Sequence, residues 1–303
     1  MKFSGACGNA VEYSGDYLIK KSAIIVGWLA VCAAALSPFV GLQPIPQQDS
    51  LDEWQRPDRI EALSQADKKR VLERLAYTEP AVAFKPLPDF NAINDTTAKK
   101  RAFFDYLRPH VQRENNRLRY LRQQLLELAE KKRKNQRLNI NEYAFLYSLY
   151  DEFRMDVAET DPQMLEELLK RVDILPPSLV LMQAANESAW GTSRFAVEGF
   201  NFFGQWCFRE GCGLVPLSRG EDQSHEVAKF DSPAKSIRSY FYNLNTFHTY
   251  ESLREIRAKL RAERKPVRGE ALAAGLGRYS ERGEEYITEI SSMIRFNRRF
   301  LED

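Results

Sequence analysis

A single carboxylate stands near the end of an apolar segment at 182–191, MQAANESAWG. The surrounding residues predict a helix over 179–189, with Glu187 at its C-terminal end. A helix C-terminus and an apolar core both disfavour negative charge, so we expect the pKa of Glu187 to be raised. A carboxyl that stays protonated can act as a general acid toward a leaving oxygen. The alternative is that Glu187 only caps a neighbouring loop through hydrogen bonds.

Two neighbours of this carboxylate suggest what surrounds it. Trp190 is a candidate for one wall of a sugar subsite, and Gly191 allows the helix to end sharply.

The composition excludes several classes of protein. The chain has 303 residues with 44 Lys+Arg and 42 Asp+Glu, and its net charge of +2 gives no electrostatic case for binding nucleic acid. Its 44% hydrophobic content supports a packed core, and its length suggests about two domains. Four cysteines do not make a disulfide scaffold, and three histidines without CxxC or HExxH spacing disfavour a metal site. We therefore expect no nucleic-acid partner, no metal and no cofactor.

The N-terminal part contains a candidate membrane segment. Residues 22–42 carry no charge and follow Lys20-Lys21. About 20 apolar residues span a bilayer, and the preceding lysines predict that the N-terminus stays cytoplasmic while the rest is exported. A cleaved signal peptide is the alternative, because small residues precede Pro38.

Helical spacing of apolar residues dominates the remainder of the chain. A long helix begins with Thr96 or Thr97 as its N-cap, and we expect Pro109 to kink or break it. Asn139 or Asn141 caps a second helix. Asp161-Pro162 has the signature of a further helix start. The predicted divisions are 1–42 (cytoplasmic tail with anchor or signal), 43–95 (linker and extended arm), 96–165 (helical N-terminal region) and 166–303 (catalytic domain).

The amino-acid composition changes at 199–231, a segment rich in glycine and aromatic residues. This segment predicts a loop and then a β-hairpin with strands near 212–218 and 225–230. Helices return at 234–246, 251–262, 269–276 and 284–298. The predicted fold class is therefore α+β, mainly helical, with one small β-element.

The order of several motifs is similar to that of a known family. E-S-x-W-G at 187–191, followed by Asn201-Phe202-Phe203-Gly204 and a hairpin, resembles the peptidoglycan N-acetylglucosaminidases of glycoside hydrolase family 73. Three later segments also resemble that family: Lys229 to Tyr240, Asn245 to Tyr250, and Arg278 to Tyr286. Residues 85–300 resemble the Bax-like subgroup of Gram-negative envelope proteins, through Pro88-Asp89-Phe90 and Lys99 to Phe104.

This resemblance implies a lysozyme-like, two-lobed helical domain with a small hairpin lobe, preceded by a helical arm. It implies hydrolysis of the β-1,4 bond after N-acetylglucosamine, with Glu187 as the catalytic acid and Tyr279 as the cleft tyrosine. The implied partner is peptidoglycan, and the implied location is the periplasmic face of the inner membrane, through 22–42, or the soluble periplasm after cleavage. We expect a monomer. The resemblance and the residue types together imply five residues of the substrate subsite: Trp190, Asn201, Phe203, Gln205 and Tyr240.

The family pattern includes a second carboxylate on the hairpin, and this sequence departs from it. The position that corresponds by counting is near Leu217, which is not acidic. The nearest acidic residues are Glu221, Asp222 and Glu226, of which Glu221 and Glu226 are the candidates for a water-activating base. Inversion needs the two carboxylates about 6.5–9.5 Å apart, and retention by a carboxylate nucleophile needs about 5–5.5 Å. Catalysis assisted by the 2-acetamido group of the substrate would need no second carboxylate.

Cys207 and Cys212 enclose four residues in the sequence CFREGC. In an oxidising envelope compartment we expect them to form a disulfide beside the cleft, with two free thiols as the alternative. Cys7 and Cys32 are not predicted to pair.

Three functions remain open from the sequence. The first is an endo-β-N-acetylglucosaminidase acting on peptidoglycan. The second is a lytic transglycosylase, which needs a single carboxylate. The third is a non-catalytic, membrane-anchored glycan-binding or scaffold protein.

Overall fold

The computed structural model describes residues 82–83, 85–155, 162–216 and 225–301. The predicted anchor at 22–42, most of the arm at 43–95, Cys7, Cys32 and Glu221 lie outside these residues. Within the described residues, no helix combines the length and the hydropathy that a bilayer crossing needs.

The helical N-terminal region is built on α1 (Thr96–Arg133). The N-cap is Asp95, whose side chain accepts a hydrogen bond from the Ala98 N–H at 2.6 Å, and not the predicted Thr96 or Thr97. The helix also continues through Pro109, so of the predicted kink or break the break does not occur. Leu107 and Val111 are buried on either side of that proline, so continuous packing outweighs the loss of one backbone hydrogen bond.

A second helix, α2 (Ile140–Glu152), begins at Asn139 and not at Asn141. The Asn139 side chain and Glu142 form a reciprocal capping box, which satisfies two backbone donors at the helix start.

Most of the remaining helices lie close to their predicted positions, but the helix at Arg194–Gly199 was not predicted and the helix predicted over 269–276 ends at Ala273. The 251–262 prediction coincides with the observed bounds, and the 179–189 helix begins and ends two residues earlier than predicted. The elements are α3 (Pro162–Arg171), α4 (Pro177–Glu187), α5 (Arg194–Gly199), α6 (Pro233–Thr246), α7 (Glu251–Ala262), α8 (Gly269–Ala273) and α9 (Glu284–Asn297), with 3₁₀ helices at Phe90–Ala92, His248–Tyr250 and Arg298–Phe300.

The β-element is a three-stranded antiparallel sheet. Its strands are β1 (Trp206–Cys207), β2 (Gly213–Leu214) and β3 (Glu226–Ala228), in the order β1-β3-β2. Cys207 faces Glu226 across one strand pair, and Gly213 faces Ala228 across the other. The two predicted strands are shorter than expected, and the sequence reading missed β1. The fold is mainly helical α+β, as predicted, and is consistent with a lysozyme-like domain.

Helix α4 lies at the centre of this packing, against α1, α8 and α9. All its residues from Ser178 to Ala185 are buried. A Cβ on Gly269 would lie 2.1 Å from the Ser178 hydroxyl oxygen, so glycine permits the close approach of α8. The long helix α1 also packs on α6, and the helical N-terminal region is thus part of the same core. This arrangement fixes the C-terminal end of α4 from several sides.

Candidate active site

The turn after α4 explains the S-x-W-G residues of the motif. Ser188 caps the helix: its hydroxyl donates to the Ala184 carbonyl at 2.6 Å and accepts from the Gly191 N–H at 2.8 Å. Ala189, Trp190 and Gly191 follow with positive φ angles of 49°, 60° and 79°. A Cβ on Gly191 would lie 2.6 Å from the ring of Phe90, so a larger residue does not fit. The chain therefore reverses sharply just beyond Glu187.

Glu187 is the last residue of α4 and receives a hydrogen bond from a neighbouring helix. The Tyr286 hydroxyl of α9 donates to Glu187 Oε1 at 2.7 Å. The Gln183 side-chain amide donates to the Tyr286 hydroxyl oxygen at 3.0 Å, and the Tyr240 hydroxyl donates to Gln183 Oε1. Because Gln183 occupies the acceptor side of Tyr286, the Tyr286 proton points at Glu187. These four side chains form a directed relay that ends on the carboxyl group.

The electrostatic environment favours a protonated Glu187. Burial raises the pKa of Glu187 and outweighs the hydrogen bonds from Tyr286 and Asn186, which favour the charged form. Burial, together with the nearby Glu187 charge, also raises the pKa of each surrounding tyrosine. The phenols therefore remain neutral hydrogen-bond donors over the whole working pH range. These tyrosines are Tyr240, Tyr250, Tyr279 and Tyr286.

Tyr279 lies beside this relay. Its ring stacks on Tyr286, with centroids 5.4 Å apart and planes 11° from parallel. Its hydroxyl donates to the Phe203 carbonyl at 3.2 Å. The structure thus brings Tyr279 into the neighbourhood of Glu187, with a direct bond to the 201–205 loop and not to the carboxyl group.

The predicted subsite residues at 201–205 hold their own loop together. The Asn201 amide nitrogen donates to the Gln205 and Ala228 carbonyls at 2.8 Å each, and Asn201 Oδ1 accepts from the Gln205 N–H at 3.0 Å. Gln205 Nε2 donates to the Ser236 carbonyl at 3.0 Å. The ring of Phe203 stacks on Tyr240 at 4.1 Å.

The side chains of Asn201, Phe203 and Gln205 are buried and stabilise the loop through contacts inside the protein. A Cβ at Gly204 would meet no atom within 4 Å, so the backbone at Gly204 forms the open side of this loop.

Two aromatic residues predicted for sugar contact pack against other side chains of the protein. The ring of Trp190 packs edge-on against Phe103 and Phe104 of α1, and the Lys100 ammonium lies 5.0 Å from its centroid. Trp190 therefore anchors the turn after Glu187 to α1. Tyr240 is 1% exposed and begins the relay, so its ring has no open face for a sugar.

The hairpin carboxylate Glu226 has a different environment. It is 4% exposed, and its two oxygens accept hydrogen bonds from the backbone N–H groups of Gly211 at 3.0 Å and Gly213 at 2.7 Å. Cys207 and Cys212 form a disulfide across the same loop, with Cα atoms 6.2 Å apart. Glu226 is thus engaged as a loop anchor beside the disulfide.

The sequence reading did not assign roles to several residues of the site. Gln183 is a buried polar residue one turn before Glu187 in a mainly apolar helix, and the sequence could have indicated it by that position. Tyr286 follows Tyr279 by seven residues, and its bond to Glu187 depends on how α9 packs on α4. Glu289, one turn beyond Tyr286 on α9, also acts electrostatically on Glu187.

Residues 162–298 match the glucosaminidase family model, described as mannosyl-glycoprotein endo-beta-N-acetylglucosaminidase. This part of the chain is similar to the glucosaminidase family. The matched range runs from α3 to the end of α9 and contains Glu187, Tyr279 and Tyr286. The match supports a glycosidase domain.

A curated relative extends the likeness toward the N-terminus. The chain is 29% identical over 233 residues to Protein bax of Escherichia coli (strain K12). The aligned region covers 77% of this chain and 82% of the relative. The chain is therefore similar to Protein bax and, over residues 162–298, to the glucosaminidase family, as its motifs predicted. No solved structure matches the chain.

Proposed function

We propose that this protein hydrolyses the β-1,4 bond after N-acetylglucosamine in peptidoglycan glycan strands, with Glu187 as the general acid. The observation that carries the proposal is the Glu187 carboxyl at the end of α4, with a raised pKa and a hydrogen bond from Tyr286. A general acid must be protonated before the reaction and stabilised as an anion after it. Burial favours the protonated acid, and the Tyr286 hydroxyl favours the anion that proton transfer leaves.

The two oxygens of Glu187 have separate roles in this proposal. Among the described residues, both hydrogen bonds to the carboxyl, from Tyr286 and Asn186, reach Oε1. Oε2 is thus the oxygen that carries the proton to the glycosidic oxygen. A carboxyl held on one side by fixed donors keeps the other side aimed at the substrate, which lowers the cost of orientation.

The environment of Glu226 favours a reaction that uses the substrate as nucleophile. Its two oxygens already accept backbone hydrogen bonds, so it is poorly placed to activate water. In the substrate-assisted route, the carbonyl oxygen of the 2-acetamido group attacks the anomeric carbon while the glycosidic bond breaks and Glu187 protonates the leaving oxygen. Water then attacks the anomeric carbon of the cyclic intermediate, and the Glu187 carboxylate takes up the water proton.

We place this reaction at the periplasmic face of the inner membrane. The disulfide between Cys207 and Cys212 supports an oxidising compartment, and 22–42 would supply the anchor. Alkaline extraction of membranes tests the anchor: an uncleaved segment keeps the protein in the membrane pellet, whereas a cleaved signal releases it.

Mass spectrometry of digested peptidoglycan tests the activity. The full chain should generate fragments with reducing N-acetylglucosamine ends, and Glu187→Gln should generate none. Glu198→Gln is the matched control, because Glu198 is an exposed glutamate on α5 and the substitution is chemically the same. Anhydro-muramyl ends would replace the proposal with a lytic transglycosylase. Glycan binding by the folded chain without any product would replace it with a binding module.

A further inference from the structure

One face of α9 forms a wall of the Glu187 site. Tyr286 on this face donates to Glu187 at 2.7 Å. Glu289 lies three residues further along the helix, and residues with that spacing share a helix face. Arg282, in the turn before α9, places its Nη1 atom 2.8 Å from Glu289 Oε2. An ion pair is thus positioned one helical turn from the hydroxyl that contacts the acid.

Most groups that face Glu187 carry no charge. Four of them are phenols, and all four stay neutral because their pKa values are raised. They belong to Tyr240 on α6, Tyr250 on the 3₁₀ helix His248–Tyr250, Tyr279 before α9 and Tyr286 on α9. On α4 itself, the neighbouring side chain is the uncharged amide of Asn186.

The charged groups that act on Glu187 are Glu289 and Arg282. Glu289 raises the pKa of Glu187 by like-charge repulsion, and Arg282 lowers it. Both side chains are partly exposed, at 37% and 52%, and an exposed ion pair contributes little to folding stability. Its position next to the acid therefore matters more for Glu187 than for the fold.

We propose that the Arg282–Glu289 ion pair is a positioning element for the catalytic acid, in which Glu289 places a negative charge one helical turn from the Tyr286–Glu187 hydrogen bond and Arg282 holds Glu289 in place. The inference rests on the proposed role of Glu187 as the proton donor. It assigns to α9 a second task besides presenting Tyr286, namely setting the pH range in which the donor is available.

Carboxyl NMR titration of the full chain, labelled with ¹³C at the glutamate side-chain carboxyls, tests this directly. The Glu187 signal is assigned by its loss in Glu187→Gln. In Glu289→Gln the Glu187 titration midpoint should move to lower pH, because a neighbouring negative charge is removed. In Arg282→Gln it should move to higher pH, because a positive charge is removed. Glu289→Asp, which keeps the charge, should move the midpoint less than Glu289→Gln.

The matched control is Glu284→Gln, at the exposed start of α9, which changes the net charge equally and should leave the midpoint in place. The alkaline limb of the hydrolysis rate should follow the NMR midpoints in the same directions.

The outcomes separate this inference from the function it rests on. If the Glu187 titration midpoint in Glu289→Gln and in Arg282→Gln is the same as in the control, the role of the ion pair is overturned, even if hydrolysis depends on Glu187. Loss of hydrolysis at every pH in Glu289→Gln, with an unchanged midpoint, also overturns it and makes Glu289 a base that acts on water. If the Glu187 midpoint shifts in opposite directions in the two variants but the wild-type chain cleaves no glycan, the role of the ion pair is supported and the glycosidase activity is refuted.

Discussion

Two glutamates near the ends of secondary structure elements have opposite surroundings in this protein. Glu187 ends the apolar helix α4, and its carboxyl receives a hydrogen bond from a phenol. Glu226 begins the short strand β3, and its carboxylate accepts hydrogen bonds from two backbone N–H groups, Gly211 within the disulfide loop and Gly213 at the start of β2. A phenol is a single donor at one oxygen, whereas the two N–H groups engage both oxygens.

The difference shows how the surroundings of a glutamate side chain give it either a catalytic or a structural role. A carboxyl with a raised pKa and one oxygen outside the protein network can exchange a proton with a ligand. A carboxylate whose two oxygens bind fixed backbone donors stabilises the loop that supplies those donors. The residue type is the same, and the donors decide the role.

Replacement of the acid should produce the largest effect. Glu187→Gln should lower kcat/KM by about 10²–10⁴-fold, the usual contribution of a general acid. The melting temperature should stay close to that of the wild type, because the glutamine oxygen still accepts from Tyr286. Rate assays and thermal unfolding on the same preparations measure both. A variant that retains its rate within about tenfold would remove Glu187 from the general-acid role.

Removal of the phenol should change both rate and pH dependence. Tyr286→Phe deletes a hydrogen bond to the Glu187 carboxylate, and a bond to a charged group contributes about 1.5–3 kcal/mol. The charged form loses support, so the pKa of Glu187 rises further and the alkaline limb of activity moves to higher pH. A pH–rate profile measures this, with Tyr242→Phe as a control away from the relay. An alkaline limb that moves to lower pH would contradict the direction of the Tyr286 bond.

Substitution of the hairpin glutamate should affect stability more than rate. In Glu226→Gln the amide nitrogen faces a backbone N–H in place of an acceptor, and an unsatisfied buried group costs about 1–3 kcal/mol. Urea unfolding should show this loss, while the folded variant should hydrolyse within about tenfold of the wild type. A loss of rate equal to that of Glu187→Gln, without a loss of stability, would make Glu226 the water-activating base.

The disulfide should act together with Glu226. Replacement of Cys207 and Cys212 by serine opens a short loop, and the chain-entropy model assigns such a closure roughly 2 kcal/mol. Because Gly211 within this loop donates to Glu226, the effects of the serine pair and of Glu226→Gln on unfolding free energy should be less than additive. A double-mutant cycle tests this coupling. Additive losses would separate the disulfide from the anchor.

Local sequence signals were strong enough to predict most helices. The spacing of apolar residues and the start at Glu251 gave the bounds of α7, and the capping signal at Asn139 was among the two predicted starts of α2. The break that was one of the two effects predicted at Pro109 does not occur, because buried residues pack the helix on both sides of the proline. The strand β1 was missed because two residues are too few to show an alternating pattern, and its pairing with β3 is a long-range contact.

The sequence alone determined the motif around Glu187, the expected direction of its pKa and the cysteine pair. Those features depend on residues close together in the chain: an apolar helix, its C-terminal turn and two cysteines with four residues between them. Only the tertiary structure decided which groups meet the two glutamates. Tyr286 is 99 residues from Glu187, and Gly211 is 15 residues from Glu226. Hydrogen bonds act over about 3 Å, so the packing of α9 on α4 and the closure of the disulfide loop set the role of each carboxylate.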